Sequence, residues 1–247
     1  MTDPESKDVE EGWTSPSSPD SILNRLRKYN ATQIDKSWTS IPVLATSYVS
    51  GLTDSAAYNA WSCFISMQTG CFMFGVATIA FCSRKAGATL RGTLVTSFFV
   101  QATLIIIAAS LVEGKVVPIP GREEQLHASE PTPYYHISLL PLAFLAFQAA
   151  GQIVASRSFG HNHIPSIVLT SLYSDLVADP LFFQPVNVKR NERIASAVLV
   201  LTGAISGGWI MRESSMAAVL WFAAAIKYAI MVGFIFWPAD KKEDGTQ

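Results

Sequence analysis

Charge is scarce in this sequence. Only 15% of its 247 residues are Asp, Glu, Lys or Arg, against about 25% in a soluble domain. The shortage is uneven: from Pro42 to Val112 the only formal charges are Asp54, Arg84, Lys85 and Arg91. That excludes a soluble enzyme and a nucleic-acid-binding module, both of which need a charged surface. Cysteine is scarce too. Cys63, Cys71 and Cys82 lie in apolar segments without metal-ligand spacing, which excludes a disulfide scaffold and reads as small membrane-buried side chains. The first residues do not read as a secretory leader, because residues 1–36 are acidic and rich in Ser and Pro rather than basic and then apolar. They read as a disordered cytoplasmic tail. Within it, SILNRLRKYN suits either a short basic helix on a membrane surface or a solvated linker.

Apolar length is what the sequence has in plenty. The chain is 49% hydrophobic with a mean hydropathy of +0.28, and a helix crosses a bilayer core in roughly 20 residues. Seven segments are read: Pro42–Ile65, Met67–Cys82, Ala88–Val112, Tyr135–Ser156, Ile164–Phe183, Ile194–Met211 and Met216–Trp237. The third and seventh are the clearest. The second is short, and the fifth carries Asp175 and Asp179 between Pro165 and Pro180. Backbone groups in lipid must be satisfied within the segment, and the alternation of a membrane β-barrel is missing. The expected fold is therefore all-α: a polytopic transmembrane bundle over residues 37–238, followed by a polar tail at 239–247.

Lys and Arg in short loops mark the cytoplasmic side. Arg25, Arg27, Lys28 and Lys36 place the N-terminal end there, and Arg84, Lys85 and Arg91 do the same for the loop between segments two and three. With every later segment spanning, Lys189, Arg190, Arg193, Lys241 and Lys242 fall outside, against the rule. One crossing fewer returns both clusters to the cytoplasm.

An internal repeat runs through the chain. GLTDSAAYNAWSCFISMQTGCFMFG and FQAAGQIVASRSFGHNHIPSIVLTSLYSDL share an order: a polar residue in a helix (Asp54, Gln148), a break, then Thr with a small residue (Thr69-Gly70, Thr170-Ser171). Gln101 in segment three matches Lys227 in segment seven, and segment six has no partner. At these boxes the chain resembles the YoaK-like membrane proteins, known as domain of unknown function 1275. The resemblance rests on Gly51-Leu52-Thr53-Asp54, on Ser66-Met67-Gln68-Thr69-Gly70, on Ala146–Ala150 followed by Ile164–Ser171, and on Gly203–Gly208. It covers about residues 40–237. Cys71 stands where that family has Asn, and Ser171 where it has Gly. A first-half helix with a Phe-x-x-Gly pattern, expected between segments two and three, is missing. The resemblance implies no established activity.

Few residues carry candidate chemistry. Asp54 sits about a dozen residues into an apolar helix, where a carboxylate costs roughly 2.5–3.5 kcal/mol on insertion scales. It reads as a proton- or substrate-binding group, or more plainly as a hydrogen-bonded structural Asp after Gly51. Lys227 lies midway along segment seven, too deep to snorkel. Its expected partner is a carboxylate, Asp54, Asp175 or Asp179, in either a switching or a static pair. Gln68, Thr69, Gln148 and Thr170 are grouped as a polar site at broken helices, against plain interhelical bonding. Gly203, Gly207 and Gly208 read as packing. His161 and His163 form a weak metal signal with no carboxylate or Cys nearby in sequence, and read as a polar loop.

The leading expectation is transport of a small solute, with Asp54 as a candidate proton carrier and the plasma membrane favoured as its site. The alternative is a non-transporting scaffold or assembly protein. With no catalytic set, an enzyme is not expected, nor any metal or cofactor. The expected partners are the lipid bilayer and a small solute, not nucleic acid.

Overall fold

The structure is a computed structural model that describes residues 19–119, 135–164, 174, 176–178 and 187–240. The described residues form seven α-helices: α1 (Pro19–Asn30), α2 (Ser40–Trp61), α3 (Thr69–Ala86), α4 (Arg91–Glu113), α5 (Tyr135–Ser158), α6 (Val188–Glu213) and α7 (Met216–Ile235). A 3-10 turn, Ile65–Met67, joins α2 to α3. The chain is all-helical; the only β pairing described is two isolated bridges, Gln33–Leu90 and Ile34–Ala239.

Local chemistry sets several helix ends. Pro42 stands in the first turn of α2, where its missing N–H leaves no helical bond unmade. Ser62 closes α2 in the left-handed conformation and donates to the Tyr58 carbonyl. The side chains of Asn187 and Ser215 accept from the N–H groups of Arg190 and Ala218 and so cap α6 and α7.

Six of the seven expected apolar segments are present as α2–α7. The fifth, with Thr170, Asp175 and Asp179, lies almost wholly outside the described residues. α4, α5, α6 and α7 are long and apolar enough to cross a membrane. Their burial pattern suits lipid: only 22% of the apolar window of α6 is buried, with Val198, Leu201, Ile205 and Trp209 exposed along it. Gln101, Gln148, Gln152 and Lys227 are inside. Apolar groups face out and polar groups face in, the arrangement a bilayer favours.

Pro19–Asn30 is helical, the first of the two readings open for SILNRLRKYN. The helix is fastened: the Tyr29 hydroxyl donates to the Ile235 carbonyl, and the Arg91 guanidinium lies 4.1 Å from the centre of the Tyr29 ring.

The packing is repetitive. α2 packs on α6 and α3 on α5; α4 packs on α7 and α5, and α7 on α2. At the α2–α6 contact, a Cβ on Gly203 would stand 2.3 Å from the Tyr48 carbonyl oxygen, and one on Gly51 2.0 Å from that of Val200. At the α3–α5 contact, a Cβ on Gly75 would stand 2.9 Å from the Ala150 methyl. Each of these two contacts is thus made through a helix glycine.

Helix ends gather on two faces. At one, Arg91 donates to the Trp237 carbonyl, Thr39 meets His161 and Arg193 donates to the His163 carbonyl. At the other, Trp221 donates to the Glu113 carboxylate at 2.9 Å and Trp61 to the Pro118 carbonyl. Ile164 and Asn187 both lie at the first face.

Candidate functional site: a buried lysine network and the cleft beside it

Lys227 is completely buried on α7. Its ammonium donates to Oε1 of Gln101 on α4 at 2.7 Å and to Oε1 of Gln152 on α5 at 2.9 Å. It also lies 5.5 Å from the centre of the Phe98 ring, within cation–π range. Two amide oxygens and an aromatic face thus answer the three donors of the ammonium. The network continues outward. Gln152 Nε2 donates to the Thr46 carbonyl at 2.9 Å and to the Ser50 hydroxyl at 2.8 Å on α2, and Gln101 Nε2 donates to Ser97 at 3.2 Å. One chain of polar groups therefore ties α2, α4, α5 and α7 together. Gly151 makes room for it, because a Cβ there would stand 2.9 Å from the Gln101 amide nitrogen.

The expected Asp54–Lys227 pair is not formed. Asp54 Oδ1 accepts from the Ile65 N–H at 2.9 Å and holds the turn between α2 and α3. It stands one helical turn, about 5.4 Å, beyond Ser50, toward the outer end of α2. A carboxylate anchored to a backbone N–H has its charge partly answered there, and the lysine is answered by amides instead. Gln148 precedes Gln152 by one turn on α5, so Asp54 and Gln148 stand at one level. Gln148 is 1% exposed, and its Oε1 has no hydrogen-bond partner among the described residues. Gln68 and Thr69 lie at the start of α3, where Gln68 donates to Cys63 Sγ at 2.6 Å and Thr69 to the Met67 carbonyl. These described bonds are local and do not reach Lys227. Thr170, the remaining member of the group, lies outside the described residues.

A cleft of about 600 Å³ lies between α3 and α4. It begins at the basic face beside Arg27 and Asn30, passes Cys82, Thr96, Ser97 and Gln101, and reaches Leu104. Gln101 is ten residues into α4, about 15 Å along its axis. The wall is largely apolar with hydroxyls set into it, the general make-up of a small-molecule site. Gln101 thus faces two ways, toward the cleft and toward Lys227.

Sequence reasoning noticed Gln101 only as the match of Lys227 in the repeat, and it missed Gln152. The spacing held the signal: Gln148 and Gln152 are four apart and share a helix face.

An all-helical bundle with apolar exterior, buried polar network and four membrane-length helices is a membrane protein. The chain belongs to the family described as protein of unknown function DUF1275, whose model matches residues 70–233. The match begins after the Gly51–Asp54 box. No curated protein and no solved structure matches the chain.

Proposed function

We propose that this protein carries a small solute across its membrane and that the solute binds in the cleft between α3 and α4. The observation that carries this reading is that the cleft is lined by Gln101, which itself holds the buried Lys227. A solute that takes a hydrogen bond from Gln101 or Ser97 competes with the lysine network. Binding is thereby coupled to the packing of α4, α5 and α7. The reading moves the functional charge from Asp54, which holds a turn, to Lys227. It needs no catalytic set and no cofactor, and it leaves the protein a non-enzyme.

One observation favours the scaffold reading instead. Each described bond of Lys227 is made and short, as in a static network that fixes packing.

The test uses Cys82, a cleft-lining thiol already present. With Cys63 and Cys71 replaced by Ser, purified protein in sealed vesicles is exposed to a water-soluble maleimide and to a panel of labelled small solutes. Transport predicts that Cys82 reacts from the basic-face side and that uptake of at least one solute falls on labelling and with Thr96→Trp. Labelling of Cys82 with no solute taken up, or uptake indifferent to both blocks, supports the scaffold.

A further inference from the structure

His161 and His163 have no acidic residue within ten positions in the sequence but gain a carboxylate in the fold. The chain leaves α5 through His161-Asn162-His163, and the second turn of α6 brings Glu192 against them. His163 Nε2 lies 2.5 Å from Glu192 Oε2, and His161 Nδ1 lies 4.0 Å from the same oxygen. One donor atom from each of the three falls within 4.8 Å of the others. All three residues are half-buried.

The hydrogen bonds fix the tautomer of His161. The hydroxyl of fully buried Thr39 has one proton, and it donates this to the Lys36 carbonyl at 2.8 Å. The 3.0 Å contact between Thr39 Oγ1 and His161 Nε2 is therefore a bond in which the ring nitrogen donates. In the neutral imidazole Nδ1 is then a bare lone pair, and it faces a carboxylate oxygen. At 4.0 Å apart, these two acceptors leave room for a cation between them. Burial lowers the His161 pKa below its ordinary value, more than the Glu192 charge raises it, and His163 lowers it further. The second ring nitrogen of a metal-bound histidine is usually committed to an outer acceptor that orients it, as Thr39 does here. Arg193 Nε donates to the His163 carbonyl at 3.2 Å and fixes that residue's backbone.

We infer that His161 Nδ1, His163 Nε2 and Glu192 Oε2 form a binding site for one divalent transition-metal ion at the basic face. Two imidazoles and a carboxylate are a donor set suited to zinc, with a fourth position left for water. Ligands about 2.0–2.1 Å from a tetrahedral zinc stand roughly 3.3–3.5 Å apart. The 2.5 Å contact must open and the 4.0 Å contact must close, each by side-chain rotation. Binding replaces the hydrogen bond between His163 Nε2 and Glu192 Oε2. The ion fastens the exit of α5 to the start of α6, and through Thr39 to the start of α2. This inference stands apart from the transport reading, since the cleft lies on the other side of α5.

The test uses the full chain purified in detergent without a histidine tag, stripped with chelator and titrated with Zn²⁺ alone. One zinc per chain is expected, with cobalt(II) giving the visible absorption of a four- or five-coordinate N/O site. Glu192→Gln and His163→Asn should weaken zinc binding at least tenfold, and Thr39→Val about tenfold, since loss of an outer partner costs 10–100-fold. Glu192→Gln and Thr39→Val are close in shape to the parent, and circular dichroism and gel filtration confirm that each keeps the fold. Zinc binding by the double variant His161→Asn/His163→Asn equal to the parent's overturns the site, as does failure of the parent to bind zinc.

Discussion

Lys227 shows how a charge survives inside a bundle without a counter-charge. Its ammonium is met by the oxygens of Gln101 and Gln152 and by the face of Phe98, so its donors are answered without bringing a carboxylate into lipid. Removing it is costly for a specific reason. Lys227→Met leaves two buried amide oxygens unpaired, each worth about 1–3 kcal/mol, with membrane measurements toward the low end. Gln152→Leu has a similar cost, because the lysine and Ser50 each lose a partner. Once one has gone the second loss is smaller, so the double variant should be less destabilised than the sum of the singles by more than the roughly 0.3–0.5 kcal/mol expected of independent sites. Reversible unfolding in mixed micelles measures all three. Strict additivity means the bond does not form in the protein as purified. Legibility at this scale was partial. The cost of a mid-helix lysine was readable from the sequence, while its partners were not, because a glutamine in an apolar run carries no sign of the charge it answers.

The helices were more legible than the contacts between them. Continuous apolar runs gave α4 and α7 almost to the residue, since length and hydropathy alone decide whether a segment crosses. The pairing of α3 with α5 was not visible, because it depends on which face of α3 carries Gly75, and the repeat had been aligned through Thr69 instead. Small residues decide these contacts. The Gly203 site allows α6 to approach the α2 backbone, whereas nothing lies within 4 Å of a Cβ on Gly233 of α7. Gly203→Ala should therefore lower the thermal midpoint and yield of folded protein, at about 1–3 kcal/mol for overpacking. Gly233→Ala should leave stability unchanged or raise it by up to about 1 kcal/mol through helix propensity. Thermal unfolding of the two single variants, side by side, separates them. Equal effects mean that α2 and α6 do not approach this closely.

The distribution of charge over the described residues bears on the count of crossings that the sequence left open. The segments near Arg25, Arg27, Lys28, Lys36, Arg84, Lys85, Arg91, Arg157, Lys189, Arg190 and Arg193 all meet at the face where α1 is fastened. Among the described residues, Lys115 and Arg212 are the cations at the other end. The conflict in the sequence arises when Ile164–Phe183 is counted as a crossing. With six alternating crossings, α2 to α7, the basic clusters would share one side, as the positive-inside rule requires. We therefore predict six crossings, with the basic face and both ends of the chain on the cytoplasmic side. Single cysteines placed in a background lacking Cys63, Cys71 and Cys82 test this, using sealed vesicles of known sidedness and a maleimide that does not cross membranes. Lys115→Cys and Glu213→Cys should be labelled from the non-cytoplasmic side; Gly87→Cys and Lys189→Cys should be labelled only from the other. Labelling of Lys189→Cys together with Lys115→Cys would show that the chain between α5 and α6 does cross. The basic face would then be split between two compartments. His163 and Glu192, which flank that stretch, would also be parted, so this outcome removes the metal site along with the topology.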